Sequence, residues 1–296
     1  MTEPHYRPAR PADAQGWTVA IEPEDAGWTY SSLRVATLGP RQTMGFNTGR
    51  SEWIVLPLAG SFVVTCDDAT FELEGRDNVF ARVTDFCYVP RDAHVTITSS
   101  AGGRVALPGA RAERILPARY GAAEDVPVEL RGAGPASRQA NNFASPEGFE
   151  TDRLVSVEIL TPGGNWSSYP PHKHDEDRPG EAVLEEIYYF EVKGGAPSGQ
   201  PGPGGYQRVY SSDPNRPIDV LCEVKTGDCV LIPHGYHGPT MASANHDLYF
   251  LNVLAGPASP RTMSFCDDPQ HAWIRATWQG EKVDPRLPLT STKGAA

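Results

Sequence analysis

The chain has 296 residues and a formal net charge of −11 with no basic block, which argues against nucleic acid or an anionic membrane as a partner. Its N-terminus carries no apolar leader, and no run approaches a membrane span in length, so neither a cleaved secretion signal nor membrane insertion is expected. Five cysteines, Cys66, Cys87, Cys222, Cys229 and Cys266, are odd in number and lack C-x-x-C spacing, so they read as reduced thiols of a cytoplasmic protein. The 29 glycines and 28 prolines cut the chain into short segments, which favours strands and turns over long helices.

In chain order, residues 52–60 form an apolar run that ends on a glycine and read as a strand entering a turn. Residues 61–66 and 70–73 flank Asp67, Asp68 and Ala69 as a hairpin, and 85–90 lead into a further strand at 94–98. Strands at this spacing suggest a barrel or sandwich. The second half repeats the order: 186–194 parallels 52–60, and 227–233 parallels 84–90, with Cys229 in the place of Cys87. Two copies of one β-module explain this most simply. The reading is an all-β chain of two β-barrel, jelly-roll-like modules with few short helices, spanning 1–125 and 126–280, followed by a polar tail at 281–296. The stretch 121–146, rich in small and polar residues, is expected to hold a linker and an exchanged strand. Residues 175–185 read as a mobile lid or a solvated hairpin loop, and 194–205 as a flexible surface excursion. A short C-terminal helix is expected from 267–274, with Asp268 as its N-cap and Pro269 in its first position, and the tail is expected to fray.

The chemistry concentrates around His172 and His174. Side chains two apart on an extended strand share a face, so both imidazoles can reach one ion. A carboxylate follows at Glu185 or Glu186, and His237 closes the set after an apolar strand ending in a Pro/Gly turn. Three imidazoles and one carboxylate suit zinc, manganese, iron, nickel or cobalt, with positions left open for substrate or water. A lone His-x-His is usually decoration; here the order and context of the later elements favour a metal. Neighbouring strand residues face opposite ways, so only one of the two glutamates can ligate, and Lys173 should face away as a structural residue. The first module offers only His5 and His94. A single leftover imidazole is more often structural, so one divalent ion is expected, in the second module alone.

At these residues the sequence resembles the cupin superfamily, with its His-x-His and Glu segment followed by Gly-x5-Pro-x-Gly and a final His. More closely, segments 161–174, 184–189, 207–210, 233–237, 247–257 and 267–274 are similar, in order, to the 5-deoxy-glucuronate isomerases of inositol catabolism. The chain departs from that pattern at His234, at Gly238-Pro239 and at Asn245-His246. The resemblance implies a bicupin whose divalent ion sits on His172, His174, Glu186 and His237. It places Glu186 at the ligand position and leaves Glu185 as a base or a residue behind the ligands. Tyr188 and Arg208 become substrate contacts, and Trp166 and Tyr169 line the mouth or pack.

The implied reaction is an aldose–ketose isomerisation between 5-deoxy-glucuronate and 2-deoxy-5-keto-gluconate, without nucleotide cofactor or oxygen. Its substrate would be a small anionic sugar acid, which the field of an acidic protein does not attract. A local cation must do so, either the metal or a buried Arg or Lys. The competing readings are a metal-dependent cupin dioxygenase and a non-catalytic sugar-binding bicupin. A homo-oligomer is compatible with the sequence.

Overall fold

The computed structural model describes residues 4–194 and 202–295, so most of the glycine-rich excursion expected at 194–205 lies outside the described residues. Strands dominate, and the helical elements among the described residues are single turns at Pro23–Ala26, Ala123–Asp125 and Ile274–Thr277. The first barrel rests on a nine-stranded sheet whose main path runs Arg119–Gly121, Phe86–Val89, Ser51–Cys66, Gly103–Arg111, Ser31–Leu38 and Trp17–Ile21. Ser51–Cys66 serves both walls. Its first half pairs with Phe86–Val89 and Gly103–Arg111, and its second half with Ala69–Arg76 and His94–Ser99. The strand turns the corner where its register shifts, near Pro57 and Gly60. Gly60 has φ 93°, and a Cβ there would stand 2.5 Å from the Gly102 carbonyl oxygen. Only glycine makes that corner.

The second barrel is built of two sheets. One orders Tyr6–Arg7, Cys229–Ile232, Glu185–Val192, Leu248–Ala255, Val155–Thr161, Arg138–Ala144 and Val128–Arg131; the other is centred on Gly205–Tyr210 and Tyr236–Ala242. Tyr6–Arg7 comes from the far N-terminus and pairs antiparallel with Cys229–Ile232, and Tyr6 Oη donates to Asp228 Oδ2 at 2.7 Å. The exchanged strand is therefore N-terminal. The stretch 121–146 instead supplies a hairpin, Val128–Arg131 and Arg138–Ala144, to the edge of the second barrel's sheet.

The barrels share a core. One apolar cluster joins Leu33, Ile54 and Leu56 to Ile187, Tyr189, Tyr249 and Leu251, while separate clusters fill the inside of each barrel. Glu185–Val192 is thus buried on both faces, and its side chains alternate. Ile187 and Tyr189 point to the shared core, and Tyr188 and Phe190 to the interior of the second barrel.

Two carboxylates pin the barrels to each other in reciprocal fashion. Glu52, at the start of Ser51–Cys66, accepts the backbone N–H groups of Asp152, Arg153 and Leu154 at 2.8, 2.7 and 2.7 Å, just ahead of Val155–Thr161. Glu185, at the start of Glu185–Val192, accepts those of Thr29, Tyr30 and Ser31 at 2.7, 2.6 and 2.9 Å, leading into Ser31–Leu38. Each module thus seats a carboxylate on a run of N–H donors of the other. A buried ion pair between Arg76 and Glu158 also crosses the seam, with Tyr249 Oη and Asn141 Nδ2 donating to the same carboxylate.

Two local expectations change. After Asp268, whose Oδ1 accepts the Gln270 N–H at 2.9 Å, the chain makes turns, and helix begins only at Ile274. The C-terminal tail is anchored through Ser291 rather than frayed from its start. Gln139 Oε1 accepts the Leu289 and Thr290 N–H groups at 2.8 and 3.1 Å, and the Ser291 carbonyl accepts the Val83 N–H at 3.1 Å. A polar composition hid this backbone pairing. The clamp leads to a prediction. Glu52→Ala strands three N–H donors at a buried seam and should lower unfolding stability by about 3 kcal/mol or more. Urea unfolding of wild type and variant measures it, and coincident curves would show that the clamp contributes nothing.

Candidate metal centre and active-site cavity

The ligand candidates meet inside the second barrel. Glu186 comes from one sheet, paired across from Ile232, and His172 and His237 from the other, where they stand directly opposite each other. His174 follows the short strand His172–Lys173. His174 Nε2 and His237 Nε2 each lie 3.1 Å from Glu186 Oε2, and the three ligand atoms fall within 4.8 Å of one another. The structure therefore converges three of the four expected ligands. His172 lies against the group, its ring centroid 4.4 Å from that of His237, and it packs on Phe265 at 4.6 Å rather than joining the converging set.

The hydrogen bonds behind these rings decide what they offer. His174 Nδ1 donates to the Leu184 carbonyl at 3.0 Å, and His237 Nδ1 faces the Gly235 carbonyl at 3.4 Å. A carbonyl oxygen can only accept, so a neutral ring that donates from Nδ1 leaves its Nε2 free to coordinate an ion beside the Glu186 carboxylate. Three electron-pair donors thus converge in a buried space. Among the described residues the buried His237 Nε2, though 3.1 Å from Glu186 Oε2, has no hydrogen-bond partner, an arrangement that costs about 1–3 kcal/mol unless a cation completes it. The donor set and the orphaned nitrogen fit a divalent ion. Burial and the two neighbouring imidazoles push His172 well below its ordinary pKa, which keeps that ring neutral. Burial would lower His174 too, but Glu186 and the Leu184 carbonyl raise it by more.

A buried ion cluster braces the ligand segments from behind. Lys173, on the opposite face from the histidines, donates to Asp175 Oδ1 at 2.6 Å and Glu181 Oε1 at 2.8 Å. Asp175 Oδ2 accepts the Gly235 N–H at 2.9 Å, which ties the His174 segment to the turn before His237. Glu181 also accepts the Asp175 N–H and the Arg178 guanidinium. The segment 175–185 is thus an anchored brace rather than a free lid.

In front of the ligands lies a cavity of about 610 Å³, walled by His172, His174, Glu186, Tyr188 and the arginines Arg131, Arg138 and Arg275. Tyr188 Oη is 3.2 Å from Ser168 Oγ. Burial and the nearby Glu186 carboxylate raise the phenol well above its ordinary pKa, so it stays protonated. Of the other site expectations, the structure corrects two. Glu185 does not face the cavity; the strand's alternation sends its carboxylate to the clamp at Thr29–Ser31. Burial pushes that carboxyl upward and the three N–H donors pull it back. Arg208 also faces away, because in Gly205–Tyr210 it is Gln207 and Val209 that point inward. Its guanidinium donates to the Val209 and Val220 carbonyls at 3.1 and 3.0 Å and pairs with Asp219. Trp166 and Tyr169 stack edge-to-face at 5.2 Å in an adjoining cleft with Ile274 and Trp278. His94 is exposed and bonded to Asn47 at 3.0 Å, and among the described residues the converging His174, Glu186 and His237 are the one such group.

The cavity arginines were missed. Arg131 and Arg138 flank a turn rich in glycine and small residues that reads as linker. The available signal was their placement opposite each other across that turn.

A match to the KduI/IolB family spans residues 5–274. The chain is 39% identical to a 5-deoxy-glucuronate isomerase of Geobacillus kaustophilus, over 90% of this chain and 94% of that one. It is 36% identical to another from Halalkalibacterium halodurans, over 93% and 99%. An IolB-like protein from Salmonella typhimurium superposes with a TM-score of 0.82 at 30% identity, over 91% of this chain and 98% of that one. Oxalate decarboxylase from Lactobacillus farciminis, with a TM-score of 0.60 at 12% identity over 88% and 86%, shares the fold alone. Fold and relatives define an isomerase enzyme on a bicupin scaffold. The chain belongs to the KduI/IolB family. No helix among the described residues is long and apolar enough to cross a membrane.

The brace behind the ligands yields a stability prediction. Lys173→Met leaves Asp175 and Glu181 buried without their shared cation and should cost about 3–5 kcal/mol. Scanning calorimetry should then show Tm falling by roughly 6 °C or more; an unchanged Tm would refute the brace.

Proposed function

We propose that this protein is a cytoplasmic, metal-dependent aldose–ketose isomerase that interconverts 5-deoxy-glucuronate and 2-deoxy-5-keto-gluconate in inositol catabolism. The observation that carries the reading is the meeting, in one cavity, of three electron-pair donors fit for a divalent ion with a set of arginines fit for a sugar acid. The names borne by the relatives support the substrate. In this reading residues 126–280 carry the chemistry, and 1–125 act as a scaffold without metal ligands.

His174, Glu186 and His237, with His172 alongside, would hold one ion of zinc, manganese, iron, nickel or cobalt. Such an ion supplies Lewis acidity toward the neighbouring carbonyl and hydroxyl oxygens of an α-hydroxy aldehyde. The chain's own residues do the rest. The guanidinium groups of Arg131, Arg138 and Arg275 set a positive potential in a protein whose overall field repels anions. Tyr188, kept neutral, donates a hydrogen bond to a substrate oxygen. Phe250, Leu254 and Ile159 wall the cavity with apolar surface and limit water at the reacting carbons. The net change moves a hydrogen from the hydroxyl-bearing carbon to the former carbonyl carbon and returns the hydroxyl proton to the former carbonyl oxygen. Substrate mass is conserved and no oxidant is consumed.

Two measurements test this. His174→Ala should weaken metal affinity by at least about tenfold; full metal content by elemental analysis would reassign the site. Metal-replete protein should convert 5-deoxy-glucuronate to the ketone, followed by NMR as loss of the aldehyde signal, without oxygen uptake. In heavy water, deuterium at the former carbonyl carbon is expected if a proton rather than a hydride is transferred. Oxygen consumption would favour a dioxygenase, and tight binding without turnover a sugar-binding protein.

A further inference from the structure

The three cavity arginines are not equivalent. Arg131 Nε is paired with Glu129 Oε2 at 2.7 Å, and its other arm donates to Asn142 Oδ1 at 3.1 Å. Arg275 is paired with Asp267, its NH2 donating to Oδ1 at 2.7 Å. Arg138 has no ion pair among the described residues, and its one hydrogen bond there is NH1 to the Ala136 carbonyl at 3.1 Å. A guanidinium has five N–H donors, so Arg138 holds most of its donor capacity in reserve on the wall of a cavity.

Its seat is built for it. Arg131 and Arg138 are direct partners in the hairpin Val128–Arg131 and Arg138–Ala144. Like charges directly opposite on a sheet are destabilising. Burial, followed by Arg131 and Arg275, lowers the Arg138 guanidinium to about 10. Gly132, with φ 79°, opens the turn beside it, and a Cβ there would stand 2.9 Å from Arg138 NH1 and 2.1 Å from the Ala136 carbonyl oxygen. The hairpin thus reserves space for a strained, unpaired cation, which an incoming anion would relieve. Arg208, expected as the substrate arginine, is already committed to Asp219.

We propose that Arg138 is the specificity residue that receives the substrate's carboxylate. This rests on the sugar-acid reading above and deepens it. A sugar acid carries its carboxylate and its aldehyde at opposite ends of the carbon chain. Both features border the same cavity: Arg138 lines it together with His174 and Glu186, and these two converge with His237. The planar fork of Arg138 donates two parallel N–H bonds to the carboxylate. The acid is thereby fixed in register, and an uncharged aldose gains nothing from the same contact.

The test uses the metal-replete full chain as wild type, Arg138→Gln, Arg138→Lys and Arg208→Gln. Two inert ligands are titrated by calorimetry: the sugar acid with its aldehyde reduced to the alcohol, and the primary amide of that reduced acid. Arg138→Gln should weaken binding of the reduced acid by roughly tenfold to a hundredfold. It should leave binding of the amide and the metal content unchanged, and Arg138→Lys should recover part of the loss. Arg208→Gln, which removes the same charge outside the cavity, should bind both ligands like wild type. In turnover of the sugar acid itself, Arg138→Gln should raise KM with kcat largely kept. Equal loss of acid and amide binding, or acid binding as tight as in wild type, overturns the assignment. If wild type binds the reduced acid through Arg138 yet isomerises nothing, the isomerase reading fails and the assignment stands. If wild type isomerises and Arg138→Gln keeps its KM, the assignment fails and the isomerase reading stands.

Discussion

The structure depends on the period-two alternation of one strand, Glu185–Val192, buried on both faces. Its first two residues are both glutamates, and alternation sends them to opposite destinations. Glu185 reaches into the first barrel and takes three N–H groups. Glu186 turns into the second barrel and meets His174 and His237. A slip of one residue would exchange their roles and carry Tyr188 and Tyr189 with them. The clamp made by Glu185 therefore holds the register that places Glu186. Glu52 repeats the clamp from the other side, so the barrel without the converging ligands still positions the site.

Charge is handled differently in the two parts of the site. Behind the ligands, Lys173, Asp175, Glu181 and Arg178 form a closed account in which every buried charge has an opposite partner. Such a network adds little net stability, because desolvation opposes the attraction, but it fixes geometry. Here it ties the His174 segment to Gly235, and so one candidate ligand to the turn that carries another. In front of the ligands the compensation is incomplete. Among the described residues Arg138 has no ion partner, and His237 Nε2 has no hydrogen bond.

Much of this was legible in the sequence. The β-only architecture followed from short apolar runs punctuated by glycine and proline, and the meeting of His174 with His237 was signalled by the His-x-His and the closing histidine, although His172 lies beside that group rather than in it. Those signals are local, and local geometry sets them. What was not legible depends on parity and distant pairing. Arg208 and Arg138 both lie on strands of the second barrel, and only the barrel's closure decides which one faces inward. The choice between Glu185 and Glu186 was made by likeness to a family, because both are compatible with strand spacing. The tail reads as frayed because its partner, Gln139, lies far away in sequence. The N-terminal Tyr6–Arg7 strand escaped for the same reason.

The pattern of violations carries information of its own. Natural sequences tend to satisfy local rules everywhere except where function demands otherwise. At the seam between the barrels the rules hold: the Glu52 and Glu185 carboxylates are each met by three backbone N–H donors, and the Arg76–Glu158 pair gains further hydrogen bonds. In the cavity they break together. Two arginines oppose each other across a hairpin, one of them without an ion pair among the described residues, and two imidazole nitrogens crowd one buried carboxylate oxygen. These conflicts have complementary signs. The His174, Glu186 and His237 group favours a cation and the Arg131–Arg138 hairpin favours an anion, so the regions around one cavity have opposite electrostatic preferences, as the proposed metal and sugar-acid reading requires.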